Sequence, residues 1–97
     1  RAAVGPSACG RCYEVPATMR DDVALARPAT WSTTSWGTPA LDLPAGVVAD
    51  LVAAGVADVV RVPACTIEDE RFFSHRRATR HGTTTGRFAG LVALTGT

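Results

Sequence analysis

The stretch from residue 41 to residue 62, LDLPAGVVADLVAAGVADVVRV, does most to set the fold class of this 97-residue chain. Asp42 stands where a helix needs an N-cap oxygen, Pro44 suits the first turn that follows, and Gly55 suits the residue that ends it. Leu43, Val47, Val48, Leu51 and Val52 recur as one helical stripe, each side chain contributing about 1.5–3 kcal/mol if fully buried. The β-branched run DVVRV, residues 58 to 62, then predicts a strand. RAAVGP at the start predicts another short strand that runs into a Gly-Pro turn, so strand, helix and strand alternate as in an α/β domain.

Around this frame the signals are weaker. Val15, Met19 and Val23 recur every four residues and predict a helix from Tyr13 to Leu25, with Pro16 in its first turn. Residues 27 to 40, RPATWSTTSWGTPA, have no period and read as a mobile loop pinned by Trp31 and Trp36. GRFAGLVAL, residues 86 to 94, predicts a last strand. Between residues 63 and 86, polar, aromatic and basic residues mix without period, and a site carried by a loop belongs there.

Composition narrows the function classes. A chain of this length buries roughly 65% of its unfolded surface and forms one domain at most. With 46% hydrophobic residues, 20% charged residues and a net charge of +1, it is neither a disordered segment nor a strongly nucleic-acid-seeking one. No run approaches the roughly 20 apolar residues of a membrane helix, and the start does not read as a signal peptide, so the expectation is a cytoplasmic protein with no membrane partner. The three cysteines, an odd number, speak against a disulfide-stapled scaffold. The chain opens at Arg1 rather than Met, as the interior of a longer protein does, and is expected to be a fragment.

Two constellations carry chemistry. Cys9 and Cys12, in CGRC ahead of a predicted helix, fit a redox dithiol, since a helix N-terminus lowers a thiol pKa. They also fit half of a zinc site completed by Cys65 and by His75 or His81, although histidines six apart lie outside the usual paired spacing. The third possibility is that all three cysteines are small buried apolar residues. Scattered along the sequence, they do not compose a closed site, and the expectation is a chain that binds no transition metal.

The second constellation is basic. After Glu70 there is no acidic residue, yet Arg71, Arg76, Arg77, Arg80, His81 and Arg87 follow. Guanidinium forks match phosphate oxygens in pairs, and glycines let backbone N–H groups approach an anion. Arg76, Arg77 and Arg87 are therefore candidate phosphate or nucleoside ligands, with Thr84, Thr85 and Gly86 as a backbone cradle. The alternative is a solvated basic edge. Phe72 and Phe73 could stack on bases, but two adjacent rings and so small a net charge support no nucleic-acid partner.

GPSACGRCYEV, LDLPAGVVADLVAAGV, Cys65-Thr66, FFSHRR and TTTGRFAGLVAL resemble, in order and approximate spacing, the C-terminal part of the YfiH-type laccase-domain family, also called the polyphenol oxidase or multicopper laccase-like family. The resemblance runs from end to end of the chain. It implies an α/β fold of mixed sheets with packed helices, residues 1–97 being the C-terminal portion of one laccase-like domain. It also implies an enzyme: a purine nucleoside phosphorylase that uses phosphate on adenosine, inosine and methylthioadenosine and deaminates adenosine, or, in the older description, an oxidase of phenols. The family's His, Cys, His metal site, taken as zinc and earlier as copper, precedes the Gly-Pro motif, so its ligands are not in this chain, which alone is expected to be inactive. CGRC then corresponds to the family's Cys-bearing loop. Arg11, His75 and ATRH depart from the family pattern, which puts substrate detail in question. The rival from another class is a non-catalytic thiol or zinc module centred on Cys9 and Cys12.

Overall fold

Strands β1 (Ala2–Val4) and β4 (Val59–Arg61) pair in parallel, Ala3 opposite Val60, in a computed structural model of the chain that describes residues 1–91. The α/β expectation is met: a parallel pair, an antiparallel pair and three helices alternate along the chain. The parallel pairing continues beyond the strands as a single bridge between Ser7 and Cys65. Helix α2 (Leu43–Ala53) packs on β1 and β4.

Asp42 caps α2 as predicted, its Oδ1 accepting from the Ala45 amide at 3.0 Å. The predicted stripe is only partly inward. Val48 and Leu51 are half-buried, whereas Leu43, Val47 and Val52 are 41%, 46% and 60% exposed. The buried residues of α2 are Pro44 and Gly46. Gly46 turns the helix this way, because a Cβ there would lie 2.5 Å from Thr30 Cγ2, and only a bare backbone can come so close.

Residues 13 to 15 are not helical. The Tyr13 carbonyl accepts from Leu41, Glu14 bridges Ala40, and the Val15 amide donates to Pro39, so this stretch lies against a strand. Helix α1 therefore runs from Ala17 to Ala26, with Pro16 at its N-cap rather than in its first turn, and it buries no residue. The loop expected over residues 27 to 40 is instead a 3₁₀ turn (Pro28–Thr30) and a hairpin of β2 (Trp31–Thr33) with β3 (Pro39–Leu41). Threonines close the hairpin: Thr34 Oγ1 accepts from the Thr38 amide at 2.9 Å, while the Thr34 amide donates to the Thr38 carbonyl at 2.8 Å. Gly37, at φ +90°, supplies the left-handed residue of that turn. Trp31 and Trp36 are about half exposed and pin nothing by burial.

A short helix, α3 (His75–His81), sits where no period was visible. Ser74 Oγ caps it by accepting from the Arg77 amide at 3.1 Å, and Gly82 ends it in the left-handed conformation. Of the predicted last strand, residues 86 to 91 have no regular structure, and residues 92 to 94 lie outside the described residues. The buried apolar residues are small or medium in size: Cys12, Val15, Ala40, Leu41, Cys65, Ile67 and Ala78. No helix among the described residues is long and apolar enough to cross a membrane.

Replacing a mid-helix glycine by alanine usually stabilises a helix by roughly 0.5–1 kcal/mol. At position 46 the clash with Thr30 should dominate, and Gly46→Ala is expected to destabilise the chain by about 1–3 kcal/mol in urea unfolding. Thr30→Ser, which removes the clashing methyl and keeps the 2.7 Å bond from Oγ1 to the Arg27 carbonyl, should recover most of that loss in the double variant.

Candidate functional site

Parallel strands end on the same side of their sheet, so whatever follows them in sequence is brought together. Past β1 the chain enters the CGRC loop, and past β4 it enters PACT; these two segments meet. The Sγ atoms of Cys9, Cys12 and Cys65 all lie within 4.8 Å of one another. The expectation of scattered cysteines is thus overturned: residues far apart in the sequence form one cluster, and Cys12, Cys65 and Ile67 are the centre of the buried core there.

The three thiols differ in surroundings. The Cys9 amide donates to Cys65 Sγ at 3.4 Å, and Cys12 Sγ donates to Glu68 Oε1 at 2.8 Å. Burial pushes the Cys12 thiol well above the ordinary range, and its bonds to Glu68 and Cys9 add to this by favouring the protonated form. Burial also opposes ionisation of Cys65, but hydrogen bonds from the Cys9, Glu68 and Ile67 backbones outweigh it and hold that thiol below the ordinary value. One cluster therefore contains a reluctant thiol and a more acidic one.

A cleft of ≈ 410 Å³ opens beside the cluster, lined by Cys9, Cys65, Glu68, Arg11, Arg61 and Asp42 among others. Its volume is within the range of small-molecule sites, roughly 300–1,000 Å³. Asp42, the cap of α2, also receives Arg61 Nη2 at 3.2 Å. Gly10 sits at the bottom of this arrangement, where an added Cβ would meet Asp42 Cβ at 2.7 Å and Ser32 Oγ at 2.9 Å. Glu68 and Arg61 were not singled out in the sequence, and Asp42 only as a helix cap. The signal that could have found them was the pair of predicted strands: paired in parallel, they bring CGRC and PACT to a shared end.

The basic segment is placed differently. Arg77 is a bracket for the preceding loop, its Nη1 donating to the Thr66 carbonyl and, at 3.1 Å, to that of Asp69, and its Nη2 to that of Phe72 at 2.7 Å. Arg76 Nη1 donates to the Glu14 carbonyl at 2.7 Å, with its guanidinium 4.9 Å from the Tyr13 ring centre. Arg80 lies over Trp36 at 5.9 Å, and that indole donates to Glu14 Oε2 at 3.2 Å. Thr84, Thr85, Gly86 and Arg87 are exposed on a stretch without regular structure, Gly86 being close against the Phe73 ring. Arg71 is paired with Asp69, whose bonds from the Arg71 side chain and amide hold its carboxyl at about 2. His75 and His81 are exposed on α3 and do not join the cysteine cluster.

Residues 1–95 match the family described as multi-copper polyphenol oxidoreductase laccase. Among curated proteins, the chain is 57% identical over 90 residues to a purine nucleoside phosphorylase of Streptomyces griseus, covering 93% of this chain and 35% of that protein. It is 53% identical over 93 residues to one of Streptomyces coelicolor, covering 96% and 37%. A purine nucleoside phosphorylase of Corynebacterium glutamicum is 43% identical over 93 residues, covering 96% and 36%. The chain thus spans about a third of the length of the curated relatives it matches. No solved structure matches it.

Because one ammonium nitrogen cannot stand where both Nη1 and Nη2 of the guanidinium stand, Arg77→Lys should destabilise the chain by about 2–3 kcal/mol, each charge-assisted bond contributing on that scale. Arg87→Lys should stay within about 0.5 kcal/mol in the same thermal unfolding series. In the reduced, metal-free chain, Cys65 should be alkylated by iodoacetamide at a lower pH than Cys12, because its thiolate appears below the ordinary thiol value and that of Cys12 above it. Peptide mass spectrometry across a pH series gives the order.

Proposed function

The chain belongs to the multi-copper polyphenol oxidoreductase laccase family, and from that membership we propose that it is the C-terminal portion, residues 1–97, of one laccase-like domain in a purine nucleoside phosphorylase. The observation that carries this reading is 57% identity, over 93% of the chain, to a protein of that name. The substrates are a purine nucleoside, with adenosine, inosine and methylthioadenosine as the candidates, and inorganic phosphate; adenosine deamination is a side activity. The three free thiols, clustered yet unpaired in a disulfide, fit a reducing, cytoplasmic setting.

Phosphorolysis needs phosphate held in line with the glycosidic carbon, and guanidinium groups supply both charge and orientation. In this reading Arg87, exposed, with the Thr84, Thr85 and Gly86 backbone, meets the phosphate. Arg76 and Arg77, bonded to the carbonyls of residues 14, 66, 69 and 72, hold α3, the helix that precedes that segment. The cleft between Arg11, Arg61 and Asp42 supplies a further wall of the pocket.

The metal that the family's description implies finds a poor match here. A multi-copper centre draws largely on imidazole, and the chain has two histidines, both on α3 and both apart from the cysteine cluster. No step is therefore assigned to copper through these residues; zinc or copper ligands of the His, Cys, His kind belong to the remainder of the domain. The description of the matched family keeps oxidation of phenols as the second reading.

The test uses a full-length protein carrying this chain, loaded with metal and assayed for phosphate-dependent release of the base from inosine, adenosine and methylthioadenosine. Base release that depends on phosphate is the expected result. Oxygen consumption with a phenol and no base release would establish the second reading instead. Within the phosphorylase, Arg87→Ala should lower kcat/KM for phosphate about 10- to 150-fold, the equivalent of one or two charge-assisted bonds. Unchanged phosphate kinetics in that variant would return Arg87 to ordinary surface charge.

A further inference from the structure

We propose that Cys9, Cys12 and Cys65 form a thiolate site for one zinc ion, distinct from the family's His, Cys, His metal, that staples the end of β1 to the end of β4. The inference rests on the cysteine cluster and is independent of the phosphorylase reading.

Geometry comes first. Three thiolates on a tetrahedral zinc, with Zn–S near 2.3 Å, stand about 3.8 Å from one another. The three Sγ atoms here already lie within 4.8 Å of one another, so contraction of the cluster by about 1 Å would seat the ion. The chain delivers them from both sides of the junction: Cys9 and Cys12 from the turn after β1, in which the Cys9 carbonyl accepts from the Cys12 and Tyr13 amides, and Cys65 from the bridge opposite Ser7. Soft thiolates select zinc over hard cations. Cys9 and Cys65 line the cleft together with Glu68, which gives the ion an entry path.

The surroundings suit the charge change. Binding breaks three S–H bonds and forms three Zn–S bonds, and three protons leave. Glu68, which accepts the hydrogen bond from Cys12 Sγ, is exposed, so the thiol lies one hydrogen bond from a side chain in solvent. Three thiolates and one zinc leave a net charge of −1, and Arg11 and Arg61 line the same cleft. Three thiols packed together with no ion are merely small apolar contacts; with one, they become the strongest bonds in a core otherwise made of small and medium-sized residues. Small domains commonly need such a staple.

The experiment uses the reduced 97-residue chain, titrated anaerobically with cobalt(II) as the spectroscopic probe and then with zinc. Expected are one equivalent of cobalt bound with tetrahedral visible absorption and thiolate-to-metal charge transfer in the near ultraviolet, displacement by zinc, and a zinc-dependent rise in melting temperature. Cys65→Ser should lose about a third of the charge-transfer intensity and weaken zinc binding about 10- to 100-fold, an effect of the size seen when ligand support is lost. Serine at buried Cys12 or Cys65 can impair folding, so Cys9→Ser, at the half-buried position, is the second variant and should lose the same third. His75→Ala with His81→Ala should leave the spectrum unchanged. A wild-type chain with no tetrahedral cobalt spectrum overturns the proposal, as does a spectrum that Cys9→Ser leaves intact or that the two histidine substitutions abolish. Zinc binding without any rise in melting temperature overturns the staple, because an ion that holds the fold must favour it.

Discussion

The parallel pairing of β1 with β4 is the constraint from which the other arrangements follow. It joins residues more than fifty positions apart, and closing so long a loop must be repaid by contacts at the junction itself. Three strand residues on each side cannot supply enough, since an isolated two-stranded sheet is marginal at best. The repayment continues past the strands, through the Ser7–Cys65 bridge, the Cys9 amide on Cys65 Sγ and the Cys12 thiol on Glu68. Chemistry and stability are thus placed on the same few residues.

Elsewhere the chain relies on side chains that reach backbone groups. Asp42 directly follows β3, caps α2 and receives Arg61, so its carboxylate ties the helix to the parallel sheet at the end of the hairpin. Arg77 collects carbonyls from residues 66, 69 and 72, and Arg76 reaches that of residue 14. All ten cations are arginine, and where they are bonded internally the planar fork is what lets one side chain hold several acceptors. A basic stretch that reads as a surface for anions is in part the bracket of its own loop.

What the sequence made legible follows from this division. Helix α2 and strand β4 were visible because their signals are local: a cap, a proline, a period and a β-branched run. The hairpin of β2 and β3 was hidden because its turn is closed by Thr34 and Thr38 rather than by an Asn-Gly or Asp-Gly pair. Helix α3 is too short to show a period and betrays itself only by Ser74 and Gly82 at its two ends. The stripe on α2 was misjudged because a glycine, which carries no hydrophobic signal, chose the inward face. Family membership was legible from motif order, whereas the thiol cluster was not, since proximity across the junction depends on which strands pair and in which sense.

Gly10 carries a consequence for how such a chain can change over generations. Its bare Cα is pressed against the side chains of Asp42 and Ser32, and the Ser32 hydroxyl in turn donates to the Gly10 carbonyl at 2.7 Å. A side chain at position 10 cannot be accepted alone, and neither a bulkier cap at 42 nor a bulkier residue at 32 can be accepted while the thiol loop stays where it is. Positions 10, 32 and 42 should therefore drift as a linked set or not at all. The middle of CGRC is held by its neighbours in space, so the spacing between Cys9 and Cys12 should persist even in a lineage that stops using either sulfur.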